Sequence, residues 1–533
     1  MAKMLSLREQ AKEFFEFALQ QTCSRASLEK LYHLIRQCEY QLEQPMRVAI
    51  VGKIKAGKST AINALLGEAL VVTGTVEATF NVNWLRYGEK SSLKVHFKDK
   101  RPPETKSISE LADLTKRSDR SHQYLLNIAY IEVFYPNPIL QTFNLIDTPG
   151  LESYYQDDSE NTRQFLNLHG KKLSEITQIE TAKADAVLYL FNQSVHTADA
   201  VAMEEFQGSS LGKITPINAI AVLTKIDSYW QEANNPLTQG EKIAQRLMSE
   251  YPQLRHLFHT IRPLAGCLAL GAQTLAKEEF ETLKRLAELS EERLERLLRT
   301  VERFTSKEYP EEPQIPQKSD RSSLLDRLGQ YGVFLACQLL REQNLTQLEL
   351  QKRLLDASGV PQLKQLIVSH FGNRAFLIKF NTGLQQIKAA CFQIQQNCDQ
   401  DERSTCETHD LQAVNKILAK IEEIEINAHD FQELKVLRSY YLGKLDFHPN
   451  EVQQLLNITG ENGTSCAERL GNPERATVAE MLIIAKESMY YWRSRANDYI
   501  NSDTHTLEAA RILSLSFERV FYRLSKAKKY LYL

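Results

Sequence analysis

Gly52-Lys-Ile-Lys-Ala-Gly57-Lys58-Ser59 is the stretch of this chain whose residue types and spacing most directly imply chemistry. It follows an apolar β-rich run, Val48 to Val51, and precedes a helical pattern, which meets the strand, loop and helix context of G-x-x-x-x-G-K-[ST]. Two glycines let such a loop turn tightly with its N–H groups inward, so amide dipoles and a helix N-terminus can solvate phosphate oxygens. Lys58 would neutralise the β and γ phosphates, and the Ser59 hydroxyl would take one Mg²⁺ position. The implied ligand is a nucleoside triphosphate.

Two further tetrapeptides narrow the base. Asp147-Thr-Pro-Gly150 follows the apolar strand candidate FNLI, where the carboxylate can hold Mg²⁺ through water and the Gly150 amide can meet the γ-phosphate. Thr224-Lys225-Ile-Asp227 follows NAIAVL. There a carboxylate can accept N1–H and N2–H₂ of guanine while the Lys225 stem lies along the base. Adenine offers an acceptor at N1 and no N2 amine, so it would leave the Asp227 charge unpaired. Each tetrapeptide alone is a weak signal; three in this order, each after a strand, favour guanine. Pro263-Leu-Ala265-Gly266 is the candidate base loop, supported by its place after a strand. Thr79, just before a strand, is placed to bring its hydroxyl to Mg²⁺ and its carbonyl to the attacking water, with Thr73 and Thr75 as alternatives.

The elements that must position these residues follow from periodicity. Strand candidates fall at 46–51, 81–88, 92–98, 128–135, 143–147, 185–191, 218–224 and 260–265. The near-continuous apolar runs, such as Ala186 to Phe191, suit strands buried on both faces of a largely parallel sheet. Ligand loops then lie at the carboxyl ends of the strands. Residues 3–42 and nearly everything after 274 show helical spacing instead, at about 276–304, 321–357, 360–398, 408–442, 476–500 and 504–530. The first of these stripes finds its partner either in the later helices or on the nucleotide domain. Pro310, Pro313 and Pro316 deny helix continuity, so 309–320 reads as a hinge or linker. Thr477-Val-Ala-Glu480 is a capping-box signal, and Asp503 a cap for the last helix. The polar stretch 443–475 is a loop or a short irregular subdomain.

Composition excludes several classes. The chain has 533 residues, too many for one core, and its 65 Lys+Arg against 67 Asp+Glu leave a net charge of −2, which gives no bulk field for nucleic acid. No run of 18 apolar residues occurs and the N-terminus lacks a signal-peptide core, so a cytoplasmic protein is expected. Eight scattered Cys fit reduced thiols, and Cys398, Cys406 and His409 make an incomplete zinc set.

GKIKAGKSTAINALLG, the Thr79 loop running into NWLRYG, then DTPGL and TKID together resemble the dynamin superfamily, and within it the bacterial dynamin-like proteins. The resemblance covers roughly residues 46–270, and more loosely 358–379. It implies an α/β P-loop GTPase domain with a mixed, mostly parallel sheet, plus an extended all-α helical bundle of neck and trunk. By that resemblance Gly52, Lys53, Ala56, Gly57, Lys58, Ser59 and Thr60 bind phosphates. Ser59, Thr79 and Asp147 serve Mg²⁺, Gly150 senses the γ-phosphate, and Thr224, Lys225, Asp227, Ala265 and Gly266 hold the base. Eukaryotic dynamins place a Gln-Ser pair where this chain has Ile54 and Lys55, and Leu151 stands where small regulatory GTPases carry a water-orienting Gln. Lys55 is therefore either a solvated lysine or a source of transition-state charge when dimerisation orders it.

The expected layout is 1–45 as an N-terminal helical segment joining the neck, 46–272 as GTPase domain, and 273–308 as a neck helix. A hinge at 309–320, a trunk over 321–503 with a possible tip loop at 443–475, and a C-terminal neck helix at 504–533 complete it. The implied protein binds GTP and Mg²⁺, self-associates and contacts membrane lipid peripherally, with a dynamin-like paralogue as a possible partner and no nucleic acid. Membrane contact could lie in 443–475 or in the basic, aromatic Arg519 to Leu533, whose apolar residues equally continue a packing stripe. The alternative is a nucleotide-switched interaction protein whose helices bind a protein partner.

Overall fold

A computed structural model describes residues 6–23, 25–52, 55–73, 81–99, 101–115, 122–148, 184–192, 216–231, 235–400, 408–471, 476–500 and 502–531. The chain divides into two compact units, one of residues 47–366, the other of residues 1–46 together with 367–533. Thr79, Gly150 and Lys53 lie outside the described residues.

Among the described residues the first unit is built on nine strands: β1 Met46–Gly52, β2 Asn83–Tyr87, β3 Ser92–Phe97, β4 Glu104–Lys106, β5 Ile128–Tyr135, β6 Phe143–Asp147, β7 Ala186–Asn192, β8 Ala219–Thr224 and β9 Ile261–Leu264. They line up as β4-β3-β5-β2-β6-β1-β7-β8-β9. The β1/β7, β7/β8, β8/β9 and β2/β5 pairs are parallel, while β2 runs antiparallel to β6 and β3 antiparallel to both β4 and β5. All eight expected strands are present. β4 has no counterpart among them, because three residues after Pro102-Pro103 carry no alternation to read, and an edge strand needs none.

Every residue of β1 and β8 is buried, as a strand covered on both faces requires. A buried ion pair ties β1 to the residue before β7: Arg47 donates through Nη2 to Asp185 Oδ1 at 2.9 Å and through its main-chain N to Oδ2 at 2.9 Å. The pair is bidentate, the geometry a guanidinium favours.

The expected single helix at 276–304 is three helices, Lys277–Ala287, Glu291–Leu298 and Val301–Ser306. Ser290 and Thr300 break it: each side chain accepts a main-chain N–H of the following turn, from Arg293 and Arg303. Hydroxyl residues compete for backbone donors in this way, and hydrophobic spacing alone does not reveal it. The proline-rich 309–320 stretch lies inside the first unit, where it does not coincide with the compact division. Glu312 pairs with Arg293, Ile315 is buried, and fully buried Arg321 lies 5.1 Å from the Tyr309 ring and donates to Lys307 O. Proline stops a helix without stopping the segment from packing. The helices Lys318–Glu342, Gln347–Ala357 and Val360–Leu366 complete this unit, so the early part of the expected trunk packs in the core that β7 and β8 share.

The second unit gathers the helices Leu7–Thr22 and Glu29–Leu42 with Ala375–Gln400, Thr408–Asn427 and His429–Tyr441. Phe14, Phe15, Ile35, Phe380, Leu384, Val414 and Ile421 form its core, so the N-terminal stripe finds its partner among the later helices. Its first residue span after the crossing, Ile367–Gly372, is a π-helical turn that interrupts the expected 360–398 helix. The 443–475 stretch contains the helices Pro449–Ile458 and Cys466–Arg469. Leu455 and Ile458 are buried and Phe447 meets Trp492 edge-on at 5.1 Å, so its apolar residues serve packing. Val478–Arg495 and Thr504–Leu531 follow, the latter capped by Asp503 and burying Phe517, Val520 and Leu524.

Glu433 is buried in this second unit beside Arg469, His429 and Ser516. Burial works against its charge, but Arg469 first, then His429, overcome that and hold the carboxyl down at about 2. A lowered folded pKa contributes stability above the ordinary carboxylate value near 4.5, and that stability is lost as pH falls toward 2. Wild-type protein therefore loses stability between pH 5 and pH 3 in chemical denaturation. Glu433→Gln costs about 3 kcal/mol at pH 7, since it strands Arg469, and flattens the acid limb.

Candidate functional site

The carboxyl ends of β1, β6, β8 and β9 carry the residues singled out by sequence. β1 ends at Gly52, where a Cβ would lie 2.3 Å from Leu190 O of β7, so no side chain fits. Lys55 and Gly57 have φ of 61° and 85°, the left-handed region, and turn the loop into the helix Lys58–Leu66, which Gly57 caps. Lys58 is buried, and its Nζ arcs back to donate to Gly52 O at 3.0 Å. Ser59 and Thr60 are half-buried on the first turn of that helix, and Lys55 is exposed.

Thr224, at the end of β8, closes the loop from the other side. Its hydroxyl lies 2.7 Å from Ala56 O and 2.9 Å from Phe191 O, so its one proton is shared between the loop and β7. Asp147 and Thr148 at the end of β6 are fully buried, and the Thr148 hydroxyl donates to Ile50 O of β1 at 2.8 Å. Past Thr224, Lys225 has φ of 58° and is exposed, and the short 3₁₀ helix Ile226–Gln231 follows. β9 then delivers Ala265, whose N–H donates to Ser358 O at 2.9 Å, and Gly266, whose Cβ would stand 3.2 Å from Thr60 Cγ2. Thr224 thus meets Ala56 and Gly266 meets Thr60, so the base-side motifs are held against the phosphate loop.

Burial raises the Asp227 carboxyl above the usual carboxylate range, against the opposing pull of Lys225. A carboxylate short of water is relieved by firm N–H donors.

Sequence reasoning missed the wall of this corner. The helix Lys318–Glu342 is interrupted at Gly329, with φ 68° and ψ 173°, and a Cβ there would lie 3.5 Å from Asp227 Oδ2. Two residues on, buried Tyr331 has its phenol pushed up to about 12 by burial and then by Asp227. Gly359 passes so close to Pro263 that a Cβ would meet its carbonyl oxygen at 2.5 Å. The available signal was two glycines, Gly329 and Gly332, inside a helical run.

The donor set suits a phosphate chain with Mg²⁺. The Ser59 hydroxyl and Asp147 carboxylate are hard oxygens, Lys58 is an ammonium, and the left-handed residues tighten the loop as a phosphate cradle requires.

A model described as the Dynamin family matches residues 48–226. Isoniazid-induced protein IniC of Mycobacterium tuberculosis (strain ATCC 25618 / H37Rv) is 27% identical over 482 residues, 90% of each chain. Dynamin-like protein 2 of Campylobacter jejuni is 31% identical over 26% of this chain and 22% of its own. Bacterial dynamin-like protein of Nostoc punctiforme is 30% identical over 26% of this chain and 21% of its own.

The two loop glycines differ in kind. Gly57→Ala meets only Thr224 Cβ at 3.9 Å, so it keeps the fold at a strain cost of about 1 kcal/mol. Gly52→Ala forces β1 from β7 and costs about 3 kcal/mol in chemical denaturation. Equal costs would contradict this placement.

Proposed function

We propose, from the match of residues 48–226 to the Dynamin family model, a GTPase that binds and hydrolyses GTP with Mg²⁺, self-associates through this domain, and couples hydrolysis to movement of its helices in order to bind or remodel membranes. One observation carries the nucleotide part: the Thr224 hydroxyl holds the Ala56 carbonyl, so the guanine-type motif and the phosphate loop are two parts of one site. Asp227, desolvated and held beside Lys225, is matched by the two adjacent donors of guanine and left unpaired by adenine.

At the phosphate end Lys58 and the loop amides would bind the β and γ phosphates. Ser59 and Asp147 would hold Mg²⁺, which supplies charge neutralisation across those phosphates. Thr79 and Gly150 keep the roles their positions in the sequence give them, ordering water and meeting the γ-phosphate. Water adds to the γ-phosphorus as its bond to the β,γ-bridging oxygen breaks, leaving GDP and phosphate. Lys55 is exposed on a left-handed turn, where a second copy of the domain could order it toward the developing charge.

A specific observation favours a second reading. Both stretches considered for membrane contact place apolar residues in the core, Leu455 and Ile458 in one, Val520 and Leu524 in the other. Among the described residues no helix is long and apolar enough to cross a membrane. In this second reading hydrolysis times the binding of a protein partner to the helices.

GTP turnover per molecule, measured against protein concentration with and without anionic liposomes and alongside co-sedimentation, separates the two. The proposed enzyme shows specific activity that rises with concentration and again when protein pellets with liposomes. Flat turnover with nothing pelleted gives the switch. Lys55→Ala removes at least about tenfold of the concentration-stimulated rate, and an unchanged stimulated rate contradicts the role given to that residue.

A further inference from the structure

Asn83 opens β2, directly across the antiparallel ladder from Asp147 of β6. Residues facing each other in this way point to the same side of a sheet, with Cβ atoms about 4.5–5.5 Å apart. The next pair, Trp84 and Ile146, turns to the opposite side and joins the core there. Asn83 is 1% exposed, and neither its Nδ2 nor its Oδ1 has a hydrogen-bond partner among the described residues. The contrast with its neighbours is sharp: Asn63 uses both ends of its amide on the turn at Leu70 and Val71, and Asn81 donates to Leu114 O at 3.1 Å.

A buried amide left without partners costs about 1–3 kcal/mol, and such groups are rare enough in native proteins to require a reason. Hydrocarbon of the same size would be more stable at this position. A polar group kept at a cost to stability beside a fully buried carboxylate, on the strand next to β6 and two from β1, is best explained by what the site binds.

We propose that Asn83 is a positioning residue of the metal and phosphate end of the site. When nucleotide and Mg²⁺ bind, its unpartnered amide N–H turns to the Asp147 carboxylate, and its Oδ1 accepts from the water shell of the Mg²⁺, directly or through one water. This rests on the GTP reading above and adds a residue to it. It also supplies a polar group on β2 to a site that lacks both the Gln-Ser pair of the loop and the Gln after Gly150.

The test is mant-GDP affinity of the full-length protein in MgCl₂ and in EDTA, with the melting temperature of the nucleotide-free form. Asn83→Leu melts no lower than wild type, because an unsatisfied amide has become hydrocarbon. Its affinity in EDTA is unchanged, while the gain in affinity on adding Mg²⁺ falls at least about tenfold, the usual cost of losing a group behind a metal ligand. Asn83→Ser retains one donor and acceptor and falls between; it decides the matter if Asn83→Leu does not fold. A Mg²⁺ gain equal to wild type in the folded variants overturns the proposal while leaving the GTP reading intact. Wild-type protein that binds no mant-GDP in either condition overturns both.

Discussion

The Thr224 hydroxyl, placed between the Ala56 and Phe191 carbonyl oxygens, is the contact on which the rest of the site depends. It fixes the phosphate loop to the end of β7 and starts the Lys225–Asp227 turn from that same point. Gly52 has no room for a Cβ against Leu190 O, so the strand that leads into the loop lies tight against β7. Those strands are held by the bidentate Arg47 and Asp185 pair and by β1 and β8 being buried throughout. The sheet interior therefore sets the position of the loop between β1 and the helix Lys58–Leu66.

The same dependence extends outward through the base corner. Asp227 is useful as a selector only if it is short of water, and the elements that dry it come from far along the chain. Gly329 and Tyr331 lie about a hundred residues after it, and the Ser358–Gly359 turn holds the Ala265 loop from behind. In the first unit, a helix that looks from sequence like part of a stalk lies against Asp227 of the candidate site. The second unit is assembled by a comparable long-range contact, Phe14 and Phe15 against Phe380, across more than three hundred residues.

Much of this was legible in the residues themselves. Central strands such as β1 and β8 announce themselves because burial on both faces demands unbroken apolar runs, and the loops of the candidate site stand where the sequence put them, at the ends of β1, β6, β8 and β9. Other features were not. The three-residue strand β4 carries no period, and the breaks at Ser290 and Thr300 turn on local capping that the leucine stripe runs straight through. Most consequentially, the grouping of helices depends on which stripes meet in space. That is why 321–366 falls with the sheet and the proline-rich stretch lies within a unit. Asn83 was equally invisible, since an unsatisfied amide is a property of its surroundings.

Nucleotide selectivity at Asp227 tests the central claim most directly. Guanine, adenine and xanthine diphosphates compete against mant-GDP on wild-type protein and on Asp227→Asn. Wild type should bind GDP at least about a hundredfold tighter than ADP, and the variant should lose GDP and gain the xanthine nucleotide, whose O2 carbonyl can accept from the new amide. Equal affinity of wild type for GDP and ADP, or unchanged GDP preference in Asp227→Asn, would contradict the account.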